Sequence, residues 1–439
     1  MLVFSRSTGA VRVVLPPDMT LPSTTPSPLQ ATPSATLLAQ VLSAPFASGS
    51  KLTAPLWNTL LAAQSQATPF MRYEYLAALH HSGSAIARTG WSARCIALWK
   101  DEQCVELLAA CMVYIKPHSY GEYVFDHSWA NAYAQHGLDY YPKATLAVPF
   151  TPVPGSRLLA IDAETREMLV RAVVQWCEAQ GLSSLHVLFG ADEDLQACES
   201  AGLMLRHTVQ FHWQNTSPGY EGFDNFLSHL APDKRKKIRQ ERRKVADAGV
   251  TFRHAQGTAI GTADWDFFYH CYERTYLEHG NAPYLSRDFF TRMSVTQPES
   301  WLLFIAEREG VPIASSLIAI NAYPECTTGT INAIEPNDSS IEKVAYGRYW
   351  GALERVDCLH FDACYYQPLQ WCIANGYTRF EGGAQGEHKM ARALLPVKTS
   401  SAHWLAHPAF ADAVQNYLDR EGQGIENYMS DLVQRSPLR

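Results

Sequence analysis

Three stretches of this 439-residue chain gather side chains able to do chemistry. The first is Lys116-Pro117-His118-Ser119-Tyr120-Gly121-Glu122-Tyr123-Val124-Phe125-Asp126, which sets a lysine, a histidine, two carboxylates and two tyrosines around one glycine. Titratable groups at that density suit proton transfer: Glu122 or Asp126 is the candidate base, with His118 as the alternative. A polar strand end with Tyr120 and Tyr123 packed down would read the same way. The second stretch is Phe380-Glu381-Gly382-Gly383-Ala384-Gln385-Gly386-Glu387-His388-Lys389, followed by Arg392. Three glycines between a strand and a helix leave backbone N–H groups free, and His388, Lys389 and Arg392 add positive charge, so the loop suits an anion. Arg348 and Asp362 lie upstream and bring a guanidinium and a carboxylate toward the same edge. The third stretch, residues 233–244, carries eight bases against two acids on a chain whose net charge is -7. A positive helix on an acidic body suits a phosphate-bearing ligand, with Lys236, Lys237 and Arg239 as contacts; a solvated helix face explains it equally.

Composition narrows the classes. Hydrophobic residues make up 47% and charged residues 18%, which is globular, and the acidic balance argues against broad nucleic-acid binding. Ten cysteines include no Cys-x-x-Cys pair, so no metal site is expected, and reduced thiols point to the cytoplasm. No apolar run approaches the ~18 residues of a membrane span. Residues 1–52, rich in Ser, Thr, Pro and Ala, read as a disordered extension, although an organellar transit peptide has a similar composition.

These side chains must be positioned by an α/β framework. Residues 94–99 and 105–116 pair as a hairpin, 162–180 form a helix stopped by Gly181, 185–189 a buried strand, 192–201 a helix stopped by Gly202, and 203–213 a strand. The order then recurs: hairpin 302–307 with 312–320, helix 364–374, strand 378–381, helix 387–394, strand 399–404. Pro368 either kinks the 364–374 helix or marks its first turn. Gln175-Trp176-Cys177 and Gln370-Trp371-Cys372 occupy the same point of the two repeats. A duplication follows, with a first domain at 53–215 and a second at 216–439 that also holds the basic helix 232–248 and a C-terminal helix. Hairpin, strand, helix, strand, helix, strand is the order of the acyl-CoA N-acyltransferase (GNAT) fold. Its two central strands part where a donor's amide-rich arm can pair with open backbone and an N–H can hold an oxyanion.

Pro117–Asp126 in the first stretch, Tyr346-Gly347-Arg348-Tyr349-Trp350-Gly351 and Ala384-Gln385-Gly386-Glu387-His388-Lys389 resemble the signature segments of the FemAB-like family of N-acyltransferases, tied to peptidoglycan biosynthesis or recognition. Lys236-Lys237-Ile238-Arg239 resembles the Lys/Arg helix of FemAB-type aminoacyltransferases. The resemblance spans about residues 53–432 and implies two tandem GNAT-like domains with mixed central sheets. It further implies transfer of an activated acyl or aminoacyl group to an amine of a cell-wall precursor or other small molecule. Acyl-CoA or aminoacyl-tRNA is the co-substrate, and no cofactor is held tightly. Tyr120, Arg348, Asp362, Gln385, His388, Lys389 and Arg392, with the basic helix, are the expected substrate contacts. The alternative is a protein that binds a precursor without chemistry. Three departures stand out. Asp362 replaces the family's Glu, Ala393 replaces a Gly and should resist a positive φ, and neither residues 152–157 nor 346–350 reproduce the Arg/Gln-x-x-Gly-x-Gly/Ala loop of acetyl-CoA enzymes.

Overall fold

A computed structural model describes residues 3–4, 10–13, 37–321, 342–383 and 386–438. Its strands in chain order are β1 (Val3–Phe4), β2 (Ala10–Val13), β3 (Leu37–Leu42), β4 (Ser92–Trp99), β5 (Leu107–Lys116), β6 (Lys143–Leu146), β7 (Leu159–Ala160), β8 (Ser184–Val187), β9 (Met204–Gln214), β10 (Val250–Gln256), β11 (Trp301–Arg308), β12 (Val311–Ile320), β13 (Val344–Ala352), β14 (Arg379–Glu381) and β15 (Leu395–Leu405). They form one mixed sheet in the order β1-β2-β3-β4-β5-β6-β8-β15-β9-β14-β13-β12-β11-β10, with β7 on β5. From β3 to β10 this order is a mirror. Each half runs antiparallel as far as β6 or β13, then turns parallel at β6/β8 or β13/β14. The last strand of each half has crossed over: β9 pairs with β14 of the second half, and β15 with β8 of the first. The two exchanged strands join each other over nine residue pairs, from Leu395–His212 to His403–Met204.

The strand sequences show why the sheet is covered on both sides. β5 is apolar up to its last residue, Lys116, which suits a strand buried on two faces. Its Ala110, Met112 and Tyr114 enter a core shared with the second half, while Ala109, Cys111 and Val113 enter a core made mostly of the first half with Ala402 of the exchanged β15. β12 repeats the division, Leu317 and Ala319 facing the shared core and Ile318 and Ile320 one made mostly of the second half with Phe211 and Trp213 of the exchanged β9. In the shared core Tyr75 meets Phe289 edge-on at 5.3 Å and Phe70 meets Tyr346 at 5.3 Å, which ties the halves together.

Helix α1 (Ala163–Ala179) opens with the Asp162 side chain accepting from Thr165 N at 2.8 Å and is followed by Gly181 at φ +67°. Helix α2 (Asp192–Ser200) follows β8. The basic helix α3 (Pro232–Asp247) starts on its proline, buries Ile238, Glu241 and Val245, and precedes Gly249 at φ +76°. Helix α4 (Thr262–Glu278) lies against β13, α5 (Gln367–Ala374) precedes β14, and α6 (Pro408–Gln434) packs on β9 and β15.

Four expectations need correction or refinement. Leu37–Leu42 is a strand on β4 rather than part of a disordered extension, because the edge of β4 needs a hydrogen-bonding partner and this run is almost wholly apolar. Pro368 marks the first turn of α5, and the backbone before it widens into a π turn over Asp362–Tyr366. Residues 387–394 form only a 3₁₀ turn, Glu387–Arg392. Ala393 does adopt a positive φ, +60°. Its N–H reaches Met390 O at 2.9 Å and the Leu394 N–H reaches Lys389 O at 3.3 Å, so closing hydrogen bonds offset the steric cost.

Candidate active site

Parallel strands that part leave a fork, and the sheet has two. Past β6 and β8 the chain fills its own fork. Gly155 bridges Gly190 in parallel and donates to Phe189 O at 3.0 Å. Arg157, buried there, donates from Nε to Leu188 O at 3.1 Å and from Nη1 to Gly155 O at 3.2 Å. Val124, Ala147, Leu188 and Phe189 pack over what is left. Residues 152–157, where an acetyl-CoA loop was sought in the sequence, are therefore this plug.

The second fork is open. β13 and β14 pair only through Tyr346 and Glu381; Gly382 N then turns to Phe211 O at 3.3 Å, while β13 runs on to Ala352 with β12 alone. A Cβ on Gly382 would sit 2.3 Å from Leu394 Cδ2, so glycine lets the chain turn away here. The β12–β13 register slips between Ile318–Gly347 and Leu317–Tyr349, which makes Arg348 the extra residue of a bulge at the fork. Between the arms lies a cavity of about 520 Å³, lined by Gly347–Trp350 on one side and by Gly382, Gly383, His388 and Lys389 on the other.

The first and second sequence stretches thus meet at this cavity, but not through the residues expected to be bases. Tyr123 and Phe125 line it. Tyr123 and Phe150, both bulky and both lining, sit at φ +62° and +58°, strain of a kind that gathers at functional sites. Glu122 and Asp126 are buried away from it on Lys143: Lys143 Nζ donates to Glu122 Oε2 at 2.7 Å and also to Asp126 Oδ2. Burial raises the Glu122 carboxyl, with Lys143 opposing. Burial pushes Asp126 up as well, yet Lys143, His186 and the hydrogen bonds to the carboxylate together outweigh it and hold that carboxyl well below the usual range. His118 takes a hydrogen bond from Tyr120 N at 3.2 Å on Nδ1 and lies against Gly90, outside the lining. Tyr120 is exposed; its ring meets the lining Tyr284 at 5.3 Å.

On the other wall, Lys389 is buried and donates to Gly383 O at 2.8 Å, and burial lowers its ammonium to about 8. His388 stands exposed at the rim, Nε2 3.3 Å from the Tyr365 hydroxyl. Burial, then Arg392 and Lys389, lower its pKa, so the ring is neutral at pH 7. Arg348 donates from Nη2 to Phe150 O at 2.9 Å, and its buried Nε has no hydrogen-bond partner among the described residues. Arg392 is spent elsewhere: it pairs with Glu241 of α3 at 3.0 Å and stacks 3.7 Å from the Phe361 ring centre. Gln385 lies outside the described residues. The aromatic lining residues Tyr272, Tyr276, Tyr284 and Tyr365 were not anticipated; Tyr272 and Tyr276 stand one helical turn apart, a spacing that was available in the sequence.

Asp362 faces a different place. With Arg239, Arg242 and Arg243 of α3 it lines an open groove of about 1190 Å³ on the far side of the π turn. Its oxygen is 3.5 Å from Arg242 Nε and takes a hydrogen bond from Gln367 at 3.0 Å, while burial raises its pKa. Lys236 and Lys237 are exposed on the same helix. Among the described residues no cluster of His, Cys, Asp and Glu suits a metal ion, and no helix is long and apolar enough to cross a membrane.

Solved structures similar to this chain include the C-terminal domain of a putative lysylphosphatidylglycerol synthetase from Agrobacterium fabrum, with 13% identity, TM-score 0.47, and 84% of this chain and 95% of that one covered. A tandem GNAT protein of the clavulanic acid biosynthesis pathway gives 11%, 0.39, 85% and 99%. N-Myristoyltransferase from Saccharomyces cerevisiae gives 12%, 0.38, 87% and 84%. No curated protein matches the chain. The FemAB-like family, described as peptidoglycan biosynthesis/recognition, matches residues 48–439, which takes in both forks and all three sequence stretches. With its mirrored mixed sheet and one open fork, this chain belongs to the FemAB-like family.

Proposed function

We propose that the chain moves an activated acyl or aminoacyl group from a carrier to an amine at the β13–β14 fork, the acceptor being a cell-wall precursor or a related small molecule. One observation carries this reading: residues 347–350 lay strand backbone along the cavity with no strand on that side among the described residues. A carrier arm built of amides can take up the missing ladder, and an N–H near the bulge can hold the acyl carbonyl as it becomes an oxyanion. His388, neutral at the rim, accepts the proton of the attacking amine. The C–N bond forms, the carrier's thiol or hydroxyl leaves, and His388 returns the proton to it. Lys389 supplies positive charge in the cavity that holds the reactants. In this reading Glu122 and Asp126 hold the first half together through Lys143 rather than removing protons. The division into 53–215 and 216–439 has a functional sense: the plugged first half is scaffold and the second carries the chemistry.

The carrier's phosphates fall to α3. The loop after β13, residues 353–358, contains no glycine and includes Glu354 and Asp357, a poor cradle for a pyrophosphate. Arg239, Arg242 and Arg243 line the groove beyond it. Replacing Lys236, Lys237 and Arg239 together by Gln is expected to weaken coenzyme A binding about tenfold and to flatten its dependence on salt. An unchanged affinity and salt slope would mark α3 as a solvated face.

A second reading, binding of a precursor without chemistry, is favoured by one fact: no Asp or Glu is among the described residues lining the cavity. Incubating the protein with labelled acyl-CoA or aminoacyl-tRNA pools and an amine mixture separates the two. Protein-dependent amide formation, followed by mass spectrometry, supports transfer; bound acceptor with no product from any donor supports binding alone.

A further inference from the structure

The cavity at the open fork combines cations that make no direct ion pair among the described residues with flat aromatic walls. Lys389 is buried and spends one N–H on Gly383 O; Arg348 leaves a buried Nε without a partner among the described residues. None of the described residues lining the space is a carboxylate. Buried positive groups without a counter-charge are costly, and a ligand anion would offset that cost. In the same lining, Phe150 and Tyr284 stack at 4.7 Å with their planes 13° apart, and Tyr276 meets Tyr284 edge-on at 5.3 Å. Tyr123, Trp350 and Tyr365 complete the ring-bearing wall. Rings already packed on one another lose little freedom when a further ring joins them. At about 520 Å³ the space is of the size that encloses a small molecule rather than a chain segment.

We infer that the acceptor held here is an aromatic oxyanion: a compound with one carboxylate or phosphate seated between Arg348 and Lys389 and a planar ring against the Phe150–Tyr284 wall. Its amine then faces the fork. The inference names the substrate class of the site proposed above and rests on that reading for the amine alone; the anion and the ring follow from the cavity.

Calorimetric titration of the wild-type protein with four probes tests it: N-acetyl-L-tyrosine, its amide, N-acetylglycine and phenyl phosphate. N-Acetyltyrosine is expected to bind at least about tenfold more tightly than its amide, because a charge-assisted hydrogen bond to a buried cation is lost. It is also expected to bind roughly two- to tenfold more tightly than N-acetylglycine, which has no ring. Phenyl phosphate against N-acetyltyrosine decides which oxyanion fits. In Lys389→Met and Arg348→Gln proteins with intact thermal unfolding the acid should lose its advantage over the amide. Equal affinity for acid and amide, equal affinity with and without the ring, or no binding of any probe overturns the inference; because these comparisons use the wild type, misfolded variants cannot decide them. Tight binding of an aromatic anion with no transfer from any donor would instead sink the transferase reading and leave this one standing.

Discussion

His388→Gln is expected to lower kcat by roughly 10²- to 10⁴-fold while leaving KM for the carrier close to its original value. Glutamine keeps the size and can still meet the Tyr365 hydroxyl, which lies 3.3 Å from His388 Nε2, but it cannot carry a proton. The pH profile gives the sharper test. A base must be neutral to act, and partial burial together with Arg392 and Lys389 lowers the His388 pKa below the ordinary histidine value. Activity should therefore be full at neutral pH and fall only as pH drops through that lowered value. Lys389 must be charged to act, and burial sets its pKa at about 8. Activity should fall again as pH rises past about 8. His388→Gln removes the acid limb of this bell, and Lys389→Met the alkaline limb. An unchanged kcat in His388→Gln, or an acid limb that survives it, would take His388 out of the mechanism.

Lys143→Met is expected to cost about 3–5 kcal/mol of folding stability, because it strands two buried carboxylates. Lys143, Glu122 and Asp126 are almost wholly enclosed, and the pairing extends through a polar chain. Tyr140 donates to Asp126 Oδ2 at 2.6 Å and lies 3.2 Å from His186 Nε2; His186 Nδ1 is 2.7 Å from His403 Nδ1, and Ser401 is 2.8 Å from His403 Nε2. His186 is on β8 and His403 on the exchanged β15, so the chain of contacts locks the crossover. Asp126 is held below its ordinary value, so its stabilisation is complete above the unfolded-state value of about 3.9 and is lost as pH falls through the folded one. Without Lys143 that sign reverses. Burial, the largest influence on each, then raises both carboxyls without the lysine to oppose it, and the variant should gain stability on mild acidification. Denaturant unfolding from pH 7 to pH 5 checks both statements. A loss under about 1 kcal/mol at pH 7, or no recovery in acid, would show that the lysine is not what compensates these carboxylates. Adding Glu122→Gln and Asp126→Asn to Lys143→Met should restore much of the loss, since neutral amides need hydrogen bonds rather than a cation.

How far a residue could be read in the sequence depended on how local its determinants are. The apolar run of β5, the capped start and Gly-marked end of α1, the basic helix, and the recurrence of Gln-Trp-Cys at residues 175–177 and 370–372 all lie in short windows. They were enough for an α/β chain with a repeated element order, and the motif strings were enough for the family. β6, β10 and β13 were not singled out. Their lengths, four, seven and nine residues, and mixed side chains leave little periodicity to read. The roles within His118–Asp126 were set by tertiary structure alone. Tyr123 and Phe125 face the cavity while Glu122 and Asp126 face Lys143, because a left-handed residue at 123 turns the loop and strand β6 brings a buried ammonium beneath it. Arg392 and Lys389, three residues apart in one basic cluster, part in the same way: Glu241 arrives from α3 to neutralise the arginine, and no described residue lining the cavity beside the lysine is acidic. Sequence by itself determined which groups exist and which elements carry them. Which fork is open, which charge is free and which strands change places were decided by partners dozens to hundreds of residues away. Burial and pairing at that range set the energies, and no local pattern encodes them.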